Sequence, residues 1–394
     1  MLLSSCGMGA EDTPKSPITE LSSSSAESCY EPSPETEKAT KECTTEESAP
    51  PVEPSDEKIR KILSEMTLGE KIGQLFLARN PKTKKEGLEL IEEKSIGGII
   101  FFARDFKGST PEDFKALIES YSASSHIPLL TSVDEEGGDV CRVSNYVSFR
   151  NEKFKSPAEL YSEGGIERII SDCDEKSKFL LSLGLNFNLA PVVDISVDEN
   201  DFIYHRALGQ DRDKTAEYAV SLVEKMNENG ILSAIKHFPG YGNNEDTHTG
   251  IAYDSRSLDA LRENDLVPFR EAIREGAPAV MISHNVIIAL DPKYPASLSS
   301  AAYKLLREEL GCEGVIMTDD LSMGAVSDFT DSGEAAVLAV EAGADLLCCS
   351  DIEDQYSALL EAVESGRISI ERIEDSVLRL LSMKLKFGII KPNS

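Results

Sequence analysis

Tryptophan is absent from this chain of 394 residues, and only five histidines occur in it. Stacking on a flat ligand therefore falls to tyrosine or phenylalanine, and imidazole chemistry is confined to a few positions. Basic residues are outnumbered, with 40 Lys and Arg against 70 Asp and Glu, for a formal net charge of −30. That balance excludes nucleic acid and anionic membrane surfaces as partners, because phosphate neutralisation needs a basic stripe. From residue 58 onward no apolar run reaches the ~18 residues of a membrane span. The eight cysteines, at 6, 29, 43, 141, 173, 312, 348 and 349, form neither a CxxC pair nor a His/Cys cluster with zinc spacing. No metal and no cofactor is expected. On a strand, adjacent Cys348 and Cys349 point to opposite faces, which suits small buried apolar side chains better than a disulfide.

Large apolar residues are also scarce through the first fifty or so positions. The opening Met1-Leu2-Leu3-Ser4-Ser5-Cys6-Gly7 resembles the end of a bacterial lipoprotein signal. A working signal needs a charged start and an apolar stretch of about 7–15 residues, and only five residues precede Cys6. The expectation is a true start upstream and a secreted or surface protein lipid-anchored at Cys6; with Met1 as the real start the protein is cytoplasmic. Residues 7–55 form a Ser/Thr/Glu/Pro tract (Ser22 to Ser25, Pro32-Ser33-Pro34, Ala49-Pro50-Pro51). Such a tract cannot bury enough surface to offset its ordering entropy, so residues 1–55 read as a disordered tether. Residues 56–394 read as one catalytic domain.

From Ser55 the pattern changes, with Ile59, Ile62 and Leu63 making a helical stripe before the first strand. Short apolar runs then recur at Ile72–Ala78, Gly98–Phe102, Pro128–Asp134, Phe187–Asp194, Ile231–Phe238, Ala279–Asn285, Gly314–Asp319 and Ala344–Ser350. Between them lie amphipathic stretches at Pro111–Ser122, Glu167–Leu183, Thr215–Asn229, Leu258–Glu275 and Ala301–Leu310, several closed by a glycine (Gly184, Gly230, Gly276, Gly311). Eight strands alternating with helices imply an α/β fold, a single (β/α)8 barrel with right-handed crossovers. A last helix near Ile370–Lys384 is expected on the barrel's outside, leaving no sequence for a second domain. In such barrels functional groups sit at the strands' C-terminal ends. Here those ends carry Asp134, Asp194, Lys236-His237, Ser283-His284-Asn285 and Asp319-Asp320, all expected to face one mouth.

Six blocks in this order carry a family resemblance. They are Met66-Thr67-Leu68-Gly69-Glu70-Lys71-Ile72-Gly73-Gln74-Leu75, Asp134-Glu135-Glu136-Gly137-Gly138, Ala190-Pro191-Val192-Val193-Asp194, Lys236-His237-Phe238-Pro239-Gly240, Asp246-Thr247-His248 and Met317-Thr318-Asp319-Asp320-Leu321-Ser322-Met323. From about Met66 to Ile390 the chain resembles glycoside hydrolase family 3, in particular its single-domain bacterial β-N-acetylglucosaminidases. The resemblance implies a retaining hydrolase of terminal β-linked N-acetylglucosamine, acting as a monomer on a small saccharide or muropeptide without a cofactor. It implies Asp319 as nucleophile, His248 as proton donor and acceptor, and Asp246 as the partner orienting that histidine. Asp134, Arg142, Arg206, Lys236 and His237 match sugar-binding positions. Three departures stand out. Tyr241 replaces a second histidine, the loop from Gly242 to Asp246 is one residue shorter than usual, and Asp139 replaces an arginine, reversing the charge at that turn.

Retaining hydrolysis of a β-glycoside needs a carboxylate nucleophile on one face of the sugar and a proton donor on the other. In two-domain relatives the second carboxylate comes from an additional domain. An Asp246/His248 pair fills that role here, since a carboxylate-held imidazole has a fixed tautomer and a pKa near neutrality. Each residue has a plainer reading as well. Asp319 could cap the following helix, although Asp320 suits that duty better; Arg142 and Arg206 could make surface ion pairs; Lys236 could form a Schiff base, as in aldolases. Tyr241 is a candidate sugar-stacking ring. The rival functions are an N-acetylglucosaminide phosphorylase or a β-glucosidase on the same scaffold, and a catalytically silent carbohydrate-binding lipoprotein.

Overall fold

The computed structural model describes residues 54–391 apart from 243, 245, 246, 248 and 249. The proposed tether with Cys6, and the acid/base candidates Asp246 and His248, thus lie outside the described residues. Eight short strands form one parallel sheet: β1 (Phe76–Arg79), β2 (Gly98–Phe101), β3 (Leu130–Val133), β4 (Phe187–Asn188), β5 (Leu232–Phe238), β6 (Ala279–Ile282), β7 (Val315–Thr318) and β8 (Leu347–Cys349). Each strand pairs with its sequence neighbour, giving the order β7-β6-β5-β4-β3-β2-β1-β8. A parallel bridge between Met317 and Leu346 brings the two ends of that order together. The barrel expected from the alternation of strand and helix is the fold observed.

Side-chain alternation along the strands assigns every layer. Leu77, Ile100, Leu130, Phe187, Leu232, Ala234, Ala279, Met281, Val315, Met317, Leu346 and Cys348 fill the interior. Phe76, Ile99, Phe101, Val133, Ile235, Val280, Ile282 and Ile316 pack outward in the main helix-covered core. Full burial of such a side chain stabilises by roughly 1.5–3 kcal/mol, so both faces of each strand hold the register. One or two further steps of the same alternation bring Arg79, Phe102, Asp134, Lys236 and Asp319 to the interior's upper end. Cys348 sits in the interior as a small apolar side chain, as expected.

Several boundaries differ from the sequence reading. The run at Ile72–Ala78 is a helix, Leu68–Gln74, followed by β1. Thr67 and Glu70 close a reciprocal capping box, with Thr67 N–H donating to Glu70 Oε2 at 2.7 Å, and that local signal outweighs the apolar run. The expected helix at Glu167–Leu183 is preceded by a further helical stretch from Pro157, from which non-helical Gly164 and Gly165 separate it. The stretch Leu258–Glu275 divides into Leu258–Glu263 and Leu266–Arg274, and Ala301–Leu310 into Ser300–Lys304 and a π-turn at Leu305–Glu309. The strand at Phe187–Asp194 keeps only two ladder residues.

The last helix, Ile370–Lys386, does more than cover the outside. Leu380 and Met383 join the barrel interior, so the helix also closes the end opposite the mouth. Beside them Lys384 is fully buried, its Nζ donating to Gln74 Oε1 at 2.9 Å. Burial pushes its ammonium down to about 7. An unfolded chain keeps this lysine protonated up to its ordinary value near 10.5, so between about pH 7 and 10.5 the unfolded state binds more protons. Stability contributed here should rise with pH across that window, with a slope approaching about 1.4 kcal/mol per pH unit. Chemical denaturation of Lys384→Met across the same window should show that slope removed; an unchanged slope contradicts the assignment.

Candidate active site

The mouth opens into a cleft of about 680 Å³ whose lining includes Asp134, Glu136, Arg142, Arg206, Lys236, His237 and Asp319. That volume lies in the range of small-ligand sites. Asp319 follows β7, its N–H bonded to Ile282 O at 3.0 Å, and its Oδ1 accepts the Asp320 N–H at 2.8 Å. Burial raises its carboxyl, while the neighbouring His284 and His237 rings lower it. Together with the Asp320 N–H and Lys236 they outweigh burial and hold Asp319 below the ordinary aspartate value. The group is an anion at neutral pH. Asp320 is occupied, accepting from Ser322 N–H and Oγ at 3.0 and 2.8 Å and from Ser350 Oγ at 2.5 Å. It shapes the turn after β7 rather than capping the following helix as expected, since the helix Gly324–Ser327 starts after Met323 with no side-chain cap.

Across the cleft runs a line of alternating charges. Lys236 Nζ, nearly inaccessible at the end of β5, lies 2.7 Å from both Asp134 Oδ1 and Glu136 Oε1. Glu136 in turn takes a two-pronged contact from Arg206, Nε to Oε2 at 2.9 Å and Nη2 to Oε1 at 2.8 Å. Burial opposes the charge on both Glu136 and Lys236. The Arg206 and Lys236 charges nevertheless hold Glu136 well below the carboxylate range, while Asp134 and Glu136 raise Lys236. A lysine kept as ammonium is a poor amine nucleophile, so the Schiff-base alternative loses its support. Arg206 is bound to a buried carboxylate beside the cleft and is no surface ion pair. Arg142 Nη2 approaches Asp134 Oδ2 at 3.9 Å.

Histidine orientation is fixed from behind. His237 Nδ1 lies 2.7 Å from Asp194 Oδ2, and Arg206 Nη2 lies 3.2 Å from its Nε2. Arginine has only donors, so Nε2 accepts and Nδ1 carries the hydrogen toward Asp194. Asp194 also accepts the Tyr241 N–H at 2.7 Å. Asp194 and His284, expected at the mouth, are instead buried behind it; His284 Nδ1 meets Ser297 Oγ at 2.7 Å and Nε2 meets Asp320 O at 3.0 Å. Tyr241 is also buried, its ring between Phe202 and His237, and offers no free face for stacking. Its hydroxyl hydrogen-bonds Thr247 Oγ1, and Thr247 O accepts the Ala325 N–H at 3.1 Å. Thr247, between the two acid/base candidates, is thereby fastened to the loop that follows Asp319.

Sequence reasoning missed Glu135, Glu136, Arg79 and Phe102. Glu135 is fully buried and accepts the N–H groups of Arg142 and Val143 at 2.8 Å each and that of Ser144 at 3.1 Å, along with the Ser144 hydroxyl. It folds back the segment that carries Arg142. The turn between them uses Gly137 and Gly138 at φ +111° and +63°, where a Cβ would strike Lys155 O at 2.1 Å and Ser156 Cβ at 2.7 Å. Four successive residues, Asp134-Glu135-Glu136-Gly137, were a signal for such a turn. Arg79 and Phe102 were marked only by strand alternation.

The sequence profile of the glycosyl hydrolase family 3 N-terminal domain matches residues 67–383, and the chain belongs to this family. It is 32% identical over 283 residues to a β-hexosaminidase of Methylobacillus flagellatus, covering 70% of this chain and 79% of that one. It is 31% identical over 280 residues to β-hexosaminidase LpqI of Mycobacterium tuberculosis, covering 68% and 71%. The solved family 3 β-N-acetylglucosaminidase of Paenibacillus sp. str. FPU-7 superposes with a TM-score of 0.77 at 38% identity, covering 82% of this chain and 63% of that one.

Removing the central carboxylate of the charge line tests its weight. Glu136→Ala leaves Arg206 without its partner and Lys236 with one carboxylate fewer, which should lower unfolding free energy by about 3–5 kcal/mol. Denaturant titration reads this directly, and a loss below about 1 kcal/mol would show that the cations find other partners.

Proposed function

We propose that the protein is a retaining β-N-acetylglucosaminidase (β-hexosaminidase) that removes terminal non-reducing β-linked N-acetylglucosamine from cell-wall or chitin-type saccharides. The observation that carries this reading is an ionised Asp319 sharing one cleft with the Asp134–Lys236–Glu136–Arg206 line, in a chain whose relatives include named β-hexosaminidases. Asp134, Lys236, His237, Arg142 and Arg206 offer donors and acceptors to the hydroxyls and acetamide of one sugar. Asp319 attacks C1 as the imidazolium of His248 protonates the departing oxygen, giving a glycosyl ester and a free alcohol. Neutral His248 then takes a proton from water, whose oxygen attacks C1 and releases Asp319 as carboxylate. Asp246 orients the ring and tunes its pKa. The Leu3-Ser4-Ser5-Cys6 stretch supports export with a lipid anchor at Cys6. No helix among the described residues is long and apolar enough to cross a membrane.

Chromogenic N-acetylglucosaminide and glucoside, each with and without phosphate, test the reading. Hydrolysis of the first alone is expected; sugar 1-phosphate as product would make the protein a phosphorylase. Asp319→Ala should abolish turnover while the fold persists, and retention of more than a few per cent of the rate refutes it as nucleophile. With an activated aryl glycoside, His248→Ala should give a burst followed by turnover slowed on the order of 10²–10⁴-fold.

A further inference from the structure

His284 is a fully buried imidazole that the proposed reaction leaves unused. It stands just beyond β6, where the pairing of β6 with β7 runs out at Thr318 opposite Ile282. There Ser283 N–H turns to β5, donating to Phe238 O at 2.9 Å, and Asp319 N–H makes the last backbone contact with β6, to Ile282 O at 3.0 Å. The next carbonyl beyond β7, that of Asp320, is met by a side chain instead, with His284 Nε2 at 3.0 Å. On the other edge of the ring Nδ1 lies 2.7 Å from Ser297 Oγ. A carbonyl oxygen only accepts, so Nε2 donates, and in the neutral ring Nδ1 accepts from the Ser297 hydroxyl. Ser297 is itself held, its N–H donating to Ser283 O at 3.1 Å and its carbonyl accepting the hydroxyl of buried Tyr303 at 2.8 Å.

The atoms that this ring restrains lie one residue from the reacting carboxylate. Asp320 N–H donates to Asp319 Oδ1 at 2.8 Å, so the orientation of that carboxylate follows the Asp320 backbone. The same backbone is gripped at its carbonyl by His284, with Met323 N–H donating to the same oxygen at 3.0 Å. Met323 belongs to the turn itself, whereas His284 reaches in from the neighbouring strand and ties the turn to the barrel wall. The ring also acts on Asp319 directly, standing first among the influences that lower its carboxyl. Attack on a sugar carbon needs the oxygen aligned at about 3–3.5 Å, and a misplacement of about 1 Å can cost about 10²-fold in rate. A carboxylate carried on an untethered turn would not keep that alignment.

We propose that His284 is a positioning residue for the nucleophile: by holding Asp320 O from the end of β6 it fixes the turn that aims the Asp319 carboxylate at the sugar. This rests on the hydrolase reading, with Asp319 as nucleophile. The test uses His284→Asn and His284→Gln, because an asparagine amide reaches about as far as Nδ1 and a glutamine amide about as far as Nε2. In His284→Asn, kcat/KM, which reports formation of the glycosyl ester, should fall about 10- to 100-fold, by the same factor for an aryl and an alkyl N-acetylglucosaminide. Binding of N-acetylglucosamine itself, read by calorimetry, should change less than about twofold, since only the aim of the nucleophile is lost. His284→Gln, whose amide N–H reaches Asp320 O, should stay within about threefold of the native rate. An Asn variant as fast as the native protein overturns the proposal. So does a Gln variant as slow as Asn while melting like the native protein, because the donated hydrogen bond is then not what the ring supplies. A loss confined to the alkyl glycoside overturns it as well, since that pattern belongs to the proton donor. Should His284→Asn not fold, Ser297→Ala decides: without the hydroxyl that fixes the hydrogen on Nε2, the same several-fold loss should appear with both leaving groups, and a native rate refutes the proposal. A native protein that cleaves neither glycoside refutes the hydrolase reading and this inference with it, while an active native protein with an undiminished Asn variant refutes the inference alone.

Discussion

Everything at the mouth of this barrel depends on one buried arrangement of charge, the sequence Asp134, Lys236, Glu136, Arg206. Any one of these groups alone in that position would be prohibitively unfavourable, and together they compensate each other across the tops of β3, β4 and β5. Removing charges from water is unfavourable even when they pair. Such a line is therefore poor evidence of stability and better evidence of selection for a polar surface that cannot rearrange. A sugar meeting it finds donors and acceptors already fixed, and little reorganisation remains for the moment of reaction.

The same arrangement acts on two further groups of the cleft, Asp319 and His237. Lys236 is kept charged, which adds to the field that holds Asp319 ionised. Arg206 fixes one edge of His237 while Asp194 fixes the other, and Asp194 continues through the Tyr241 N–H to the Tyr241–Thr247 hydroxyl pair. Tyr241, which replaces a histidine of the family pattern, thus does a structural job that an imidazole in its place would do differently. It reaches the segment carrying the acid/base candidates from within the wall of the cleft.

The barrel was legible because its signal is long-range and repeated: eight apolar runs, helices between them, and glycines at positive φ where Gly184, Gly230, Gly276 and Gly311 end those helices. Local competition explains what was misjudged. The capping box at Thr67 and Glu70 turned the first part of an apparent strand into the end of a helix, and β1 keeps only the second part. Motif spacing placed Asp134, Arg142, Arg206, Lys236, His237 and Asp319 in one cleft. Spacing alone did not distinguish residues at the surface of that cleft from those behind it, so Asp194 and His284 were set too far forward. Nor did it register Arg79 and Phe102, which belong to no motif. They are found by counting along strands: Leu77 and Ile100 face inward, so the residues two further on must face inward too.

The floor of the cleft has its own consequence for how molecules move through it. Ile100, Leu189, Met281 and Cys348 line the cleft and at the same time belong to the packed interior, with Leu380 and Met383 of the last helix beyond them. Among the described residues the barrel is thus closed beneath the cleft. Whatever enters must leave by the way it came, in reverse order of depth. If, as proposed, Asp134 and Lys236 hold the sugar, whatever is attached to it lies above, so that part departs first and water arrives through the space it vacates. Traffic in one file imposes a sequence of events that no individual side chain encodes.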